Sequence, residues 1–392
     1  MKRSIAIVTD ALWRKSVAAI RALGASGYTV FALGDGRLTT GFYSRYTGRR
    51  FSGPVAAEDP DGFGETLARA IAETGGEPAA VLPMEDATCE WLLSHGDELA
   101  ENVEWLLPPA ESFALARDKA STFSLAQELG IPVPRTYTPA SAGELGDLVA
   151  SNPVEEFVVK PRTSSGSAGI VYGSDIRAIS LEQHWELHGP LLLQERIPRD
   201  GVAYGVSLLF DRAGQERAAF AHRRLREYPV SGGPSTQRVS AELGELHSYS
   251  RRLLSSLDWA GVAMVEWKIH PQGNRPMLLE INPRFWGSLA LAVHAGVDFP
   301  TLYADAALGR PLPSALPSYP AGIVSRWMLP GDILRYATSP ADQREPLGDF
   351  LRGSLRNAEE FDARDIRGTI ASGLCQALLA ANPKYWRYLR RT

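Results

Sequence analysis

Cysteine is nearly absent from this sequence. Cys89 and Cys375 are the only two, and their wide separation fits neither a metal-ligand spacing nor a disulfide framework. Long apolar runs are missing as well: none approaches the ~20 residues of a bilayer-spanning helix. The start, Met1-Lys2-Arg3-Ser4, is basic, but only four apolar residues follow before Thr9-Asp10, which suits a buried strand and not a signal-peptide core. There is no basic excess. The 41 Lys and Arg residues face 45 Asp and Glu, a net charge of −4, which argues against nucleic acid as a partner. Two phosphate-binding signatures are also lacking. Asp10 and Trp13 stand where a G-x-G-x-x-G turn would need glycine, and G-x-x-x-x-G-K-[ST] occurs nowhere.

What is present describes a globular protein suited to a reducing cytoplasm. With 392 residues, 44% of them apolar and 22% charged, the chain is too long for one compact core, and two or three domains are expected. Residues 4–9 are a short apolar run without alternation, as in a strand buried on both faces. A helix over 15–23, closed by Gly24 to Gly27, and a strand over 28–33 complete a βαβ unit and so predict a parallel sheet. A helix over 65–73, a strand over 79–83 and a helix over 88–94 extend this α/β region, whose expected role is to shape a cleft.

The pattern then changes to α+β. Asp118-Lys119 opens a helix that ends at Gly130, and 131–134 is extended. Strands are expected over 157–159, 170–172 and 191–194, with a helix over 181–187. A hairpin follows from 203–210 and 217–221 around a turn at 211–214. The Gly-rich loop 231–235 leads to a helix over 243–257. Strands over 262–269 and 276–281, joined by a turn at 270–274, lead to a helix over 287–295 that stops at Gly296. Beyond a Pro-rich linker over 311–320 come a strand over 323–328 and a mostly helical end. The mixed aromatic and basic run from Lys384 to Arg391 is expected to be a docked helix with a solvated face. The expected division is 1–110, 111–310 and 311–392, with no internal repeat.

Three places carry chemistry. Glu266 and Glu280 fall on adjacent strands of the last hairpin, each preceded by apolar residues. A carboxylate in such a setting costs several kcal/mol unless it is paired or coordinated. With Asn282 two residues on, and a side-chain repeat of two, the three are expected on one face as oxygen ligands for Mg²⁺. Lys160 ends a strand and precedes the Gly/Ser loop 162–169, whose backbone N–H groups could cradle phosphate beside its charge. His222 to Tyr228, rich in arginine, leads into Ser231-Gly232-Gly233. Arg224 there suits bidentate binding of a carboxylate, and a solvated charged strand is an equally good description of the segment.

The order of these parts resembles the ATP-grasp superfamily, in particular its carbamoyl-phosphate-synthase-like carboxylate–amine ligase branch. The likeness rests on Lys119 at a helix start and on V-V-K-P with Lys160 before a Gly/Ser loop. It continues through L-L-Q-E-R-I-P around Glu195, G-V-A-M-V-E-W with Glu266, and L-E-I-N-P-R-F-W-G-S with Glu280, Asn282 and Arg284. It covers roughly residues 1–300. It implies an ATP-grasp fold behind an N-terminal parallel-sheet (pre-ATP-grasp) domain. Lys119 and Lys160 would contact ATP phosphates, and Ser164, Ser165, Gly166, Ser167 and Gly169 would close over them. Gln194, Glu195 and Ile197 would frame adenine, with Asp200 as the ribose candidate. Glu266, Glu280 and Asn282 would hold Mg²⁺, which Mn²⁺ could replace, and Arg284 would steady the transferred phosphate. Arg224, Ser231, Gly232 and Gly233 would face the substrate. The implied reaction is C–N ligation of a small carboxylate to an amine through an acyl phosphate, releasing ADP and phosphate. The alternative is an ATP-grasp carboxylase or kinase without an amine acceptor. A homodimer and a cytoplasmic location belong to the same expectation.

Overall fold

The structure, a computed structural model, describes residues 4–164, 169–198, 200–229, 233–340 and 344–380. The N-terminal sheet takes Ile5–Val8 (β1), Thr29–Gly34 (β2), Thr47–Ser52 (β3), Ala79–Leu82 (β4) and Val103–Glu104 (β5), in the order β3-β2-β1-β4-β5, all paired in parallel. Helices Arg14–Ala25 (α1), Pro60–Ala72 (α2) and Asp86–His95 (α3) accompany it. β1 and β4 are buried along their whole length, because helices cover both faces of a parallel sheet. α2 starts before residue 65 because Asp59 caps it, accepting from Gly62 N at 3.0 Å, with Pro60 at the first helical position. β3 escapes sequence pattern since only Phe51 of its six residues is buried. The strand order reverses between β1 and β4. The loops after these two strands therefore leave a crevice at their carboxyl ends, the usual place for ligands in such sheets.

A smaller lobe follows: Ala110–Arg117 (α4), Lys119–Glu128 (α5), Thr136–Tyr137 (β6), Ala142–Ser151 (α6), Phe157–Pro161 (β7), Val171–Tyr172 (β8), Leu181–His188 (α7) and Leu191–Glu195 (β9). Its antiparallel sheet, β6-β9-β7-β8, packs Phe157, Val159, Leu191 and Leu193 against Leu145 and Val149 of α6.

The largest sheet is antiparallel. It is built from Val202–Phe210 (β10), Glu216–Glu227 (β11), Ser235–Ala241 (β12), Gly261–His270 (β13), Arg275–Asn282 (β14) and Val324–Arg326 (β15), in the order β14-β13-β10-β11-β12-β15. Helices Glu245–Ser255 (α8), Leu289–Ala295 (α9) and Phe299–Ala307 (α10) belong to this region. Leu253 and Leu254 of α8 join a core with Trp259 and Trp267. The chain ends with Ile333–Thr338 (α11), Leu347–Asn357 (α12) and Ile366–Ala380 (α13).

Two departures from the sequence expectation matter here. β11 runs on to Glu227 instead of ending at 221, and β12 is a strand that pattern did not indicate. β11 is rich in charge and β12 carries Arg238 among polar residues, yet Arg226 and Arg238 are paired inside the protein. Arg226 of β11 meets Glu345 at 2.7 Å, and Arg238 of β12, fully buried, pairs with Glu359. An alternation rule that expects charge to face water reads such strands as loops.

Candidate active site

The β13–β14 hairpin places the acids. Its register sets Glu266 directly opposite Glu280 and Met264 opposite Asn282. A bulge follows, so that Trp267 faces Leu278 and both drop into the core while Leu279 is passed over. Asn282 Nδ2 lies 3.4 Å from both Glu266 Oε1 and Glu280 Oε1, donating to each. The next strand gives room: Gly205 pairs with Glu266, and a Cβ there would come within 2.4 Å of His222 Cε1.

Cations surround the pair. Arg224 Nη2 is 2.5 Å from Glu266 Oε2, and Lys119 Nζ is 3.3 Å from Glu280 Oε2. Burial raises the Glu266 pKa; Arg224 opposes that shift and the Glu280 charge adds to it. Arg224 stays firmly protonated despite burial, held by Glu266 and Glu227. Lys119 also reaches Ser164 O at 3.3 Å and Ser164 Oγ at 3.2 Å, and Asp118 caps its helix by accepting from Ala120 N at 3.0 Å. Lys160, only 6% exposed, is brought down to about 7, first by desolvation, then by the Lys119 charge. Two ammonium groups and two carboxylates thus share one poorly solvated corner.

Arg284 points toward the N-terminal region, with Nε 3.1 Å from Asp86 Oδ2 and 3.9 Å from Glu85 Oε2. Burial disfavours its charge, but these two carboxylates hold it protonated. Beside it Lys15 Nζ lies 2.9 Å from Glu85 Oε1 and donates to Phe285 O at 3.1 Å. Asp10, buried and held at φ 51°, accepts from the Thr9 and Thr88 hydroxyls at 2.7 and 2.8 Å. Desolvation, then Glu85, push its pKa up to about 6. A left-handed backbone at a non-glycine residue is strain of the kind found at functional sites.

One cavity of about 1000 Å³ joins these groups. Lys119, Lys160, Gln194, Glu195, Ile197, Arg224, Gly233, Glu266, Glu280, Asn282 and Arg284 all line it. Val158, Ile170 and Tyr172 give it an apolar side, and Gln194 is fixed by donating to Thr136 Oγ1 at 2.8 Å. The Glu195 side chain is occupied: its Oε2 accepts from Arg135 N at 3.1 Å, and its own N–H is given to Arg135 O at 2.8 Å. Arg196 N is given to Glu156 O, which leaves Ile197 N as the hinge donor without a backbone partner among the described residues.

Ser164 O lies 3.3 Å from Lys119 Nζ and the Gly169 carbonyl lies 2.8 Å from His184 Nε2, and neither residue is on the cavity lining. Asp200 is exposed and lies off the lining, whereas Gly201 is on it. Ser165, Gly166, Ser167, Ser231 and Gly232, together with the run from Lys384 to Arg391, lie outside the described residues.

Sequence reasoning missed another part of the lining. Asp10, Arg14 and Lys15 follow β1, and Glu85 and Asp86 follow β4, at the crevice of the parallel sheet. His222 and Ser288 are joined at 3.3 Å, while Trp327 and Arg335 come from beyond residue 310. Arg14 stacks on the Trp327 ring with 4.2 Å from its Cζ to the ring centroid. Only the crevice rule could have flagged this part, from Asp10 standing directly after a buried strand.

The fold has known counterparts. Residues 189–328 match the family described as ATP-grasp in the biosynthetic pathway with Ter operon. N5-carboxyaminoimidazole synthetase from Staphylococcus aureus, complexed with ADP, superposes with a TM-score of 0.61 at 14% identity, covering 84% of this chain and 83% of that one. The biotin carboxylase domain of Hydrogenobacter thermophilus 2-oxoglutarate carboxylase, a dimer in complex with MgADP, ADP and bicarbonate, gives 0.63 at 14% identity, covering 81% and 73%. Acetyl-CoA carboxylase 1 of Oryza sativa subsp. japonica is 25% identical over 217 residues, 48% of this chain. The chain spans only 10% of that relative's length. The fold is thus that of the ATP-grasp proteins, and residues 189–328 carry the similarity to an ATP-grasp family. Among the described residues no helix is long and apolar enough to cross a membrane.

Proposed function

We propose that this chain is an ATP-dependent ligase that activates a carboxylate as an acyl phosphate and joins it to an amine. The observation that carries this reading is the direct pairing of Glu266 with Glu280, bridged by the Asn282 amide and set beside the buried Lys119 and Lys160. Two carboxylates and an amide are an oxygen-donor set suited to a hard divalent cation, and a flip of the amide turns its oxygen towards both acids. Bound Mg²⁺ would neutralise charge on the nucleotide phosphates.

The chain's own groups do the rest. Ile197 N–H and the apolar side made by Val158, Ile170 and Tyr172 would receive adenine. Lys160 and Lys119 would bind the phosphates, and Arg284, fixed by Asp86, would hold charge on the transferring phosphoryl oxygens. The substrate carboxylate attacks the γ-phosphorus and ADP leaves. The amine nitrogen then attacks the acyl carbon, the carbon–oxygen bond to phosphate breaks, and the nitrogen gives up its proton. Arg224 and Gly233 would face that substrate. The same reading divides the chain near residues 110 and 310, with the nucleotide between the two lobes of the middle part.

A second reading is favoured by the similarity to carboxylases and to a bicarbonate-bound domain: the activated acid would be bicarbonate. The two separate in one assay. ADP release is followed with Mg²⁺ over pooled carboxylates and amines, then with labelled bicarbonate alone. Ligation consumes amine in step with ADP. ADP release that fixes bicarbonate and ignores every other acid would move the assignment to carboxylation, and ADP release unaffected by Glu280→Ala would sink both.

A further inference from the structure

The cavity has more positive charge than the proposed chemistry uses. Three of the cations near Glu266 and Glu280 have a paired acid: Arg224 has Glu266 and Glu227, Arg284 has Asp86, Lys119 has Glu280. Arg335, on α11, lines the same cavity and is different. Its guanidinium makes no ion pair among the described residues, and its Nε, like those of Arg224 and Arg284, is buried without a hydrogen-bond partner there. The acids that influence it are already engaged. Asp332 Oδ2 accepts from Arg326 Nε at 2.8 Å, and Glu345 Oε1 accepts from Arg226 Nη1 at 2.7 Å. Burial and the like charge of Arg226 lower its pKa, the sign of a cation short of an anion. A guanidinium edge that faces a cavity without an acid of its own can be completed by a ligand anion.

Its surroundings suit an anionic ligand with an apolar body. Trp327 offers a ring on the same lining, stacked by Arg14, and Arg14 is itself brought down to about 10, mainly by burial. We propose that the carboxylate substrate carries a second anionic group, a carboxylate or a phosphate, and that Arg335 binds this distal group as a specificity-determining residue. The inference rests on the ligase reading for the reacting end of the molecule. It also gives the stretch beyond residue 310 a purpose, since Arg335 and Trp327 both come from it.

The test compares wild type, Arg335→Gln and Arg335→Lys. ADP release is measured with linear dicarboxylates, their monocarboxylate counterparts and phosphate-bearing carboxylates. Loss of one charge-assisted contact is worth about 1.5–3 kcal/mol, or about 10- to 100-fold in affinity. We expect KM for dianionic substrates to rise by that factor in Arg335→Gln while kcat changes little, monocarboxylates to be unaffected, and Arg335→Lys to recover part of the loss. Whichever dianion suffers the larger KM rise identifies the group. An unchanged preference between dianion and monoanion in a folded Arg335→Gln overturns the proposal. A parallel melting measurement needs no turnover: a dicarboxylate or inorganic phosphate should raise the wild-type melting temperature and do so less in Arg335→Gln. If no acid supports ADP release, the ligase reading fails, and the melting comparison alone decides the role of Arg335. Should Arg335→Gln not fold, Arg335→Lys with the same ligands decides it, an unaltered shift counting against the proposal.

Discussion

Glu266, Glu280 and Asn282 come from one hairpin, paired within a few residues of one another, and the cations over them come from neighbouring strand and helix ends. The rest of the cavity lining draws on Asp10 and Arg14 after β1, Glu85 and Asp86 after β4, and Trp327 and Arg335 near the end of the described chain. The first arrangement is held by one hairpin; the second is assembled from distant segments and keeps Arg335 without an ion pair among the described residues. Chemistry common to nucleotide-using enzymes needs the fixed, local geometry. Selection of a particular substrate can be spread over loops and late segments, because each contributes binding and none has to align reacting atoms.

That contrast can be challenged from its strongest consequence downward. Glu280→Ala removes one carboxylate from the proposed cation site. Losing several kcal/mol of charge stabilisation should slow ADP release on the order of 1000-fold, read in a steady-state assay at saturating nucleotide.

Arg224→Ala leaves Glu266 without its closest counter-charge. A broken buried pair costs about 3–5 kcal/mol while the remaining acid is ionised. Glu266 already has a raised pKa, so the variant can relieve that cost by keeping a proton at low pH and cannot at high pH. Melting measured at pH 5.5 and pH 8 should show a clearly larger deficit at pH 8. An equal deficit would mean that Arg224 acts only by packing.

Lys160 gives a smaller effect with a definite sign. It is charged below about pH 7 and neutral above. A phosphate beside it favours the charged form, so nucleotide binding above pH 7 should take up a proton, and affinity should fall by up to about tenfold per pH unit. Calorimetry in buffers of different ionisation enthalpy counts that proton, and Lys160→Met should abolish the uptake.

Trp327→Leu should have the mildest consequence. It removes the surface on which Arg14 stacks, worth about 0.5–2 kcal/mol, and should weaken substrate binding while leaving nucleotide affinity unchanged. A comparable loss of nucleotide affinity would show that the two parts of the cavity are not independent.

Much of the hairpin site was legible in the sequence because its residues break local rules. A glutamate among Met264, Val265 and Trp267 is conspicuous, and the repeat of two sets Glu280 and Asn282 on one face whatever the details of the hairpin. The bulge at Leu279 was not foreseeable from composition, yet it is what brings Glu280 opposite Glu266. The rest of the lining was illegible for the converse reason. Asp10, Glu85 and Arg335 look like ordinary loop or helix charges until the sheet order and the C-terminal helices bring them together. β12 was missed because Arg238 and its neighbours read as solvated, while its partner Glu359 lies more than a hundred residues away in sequence. Long-range charge pairing leaves no periodic trace.

The shared cation ties the hairpin to the nucleotide, and calorimetry of ADP binding with and without Mg²⁺ puts that link to the test. Wild type should bind ADP more tightly when Mg²⁺ is present, and the Glu266→Gln/Glu280→Gln double variant should bind it with the same affinity in both conditions. Equal tightening by Mg²⁺ in the wild type and in a folded double variant would contradict the assignment of these residues as the cation site.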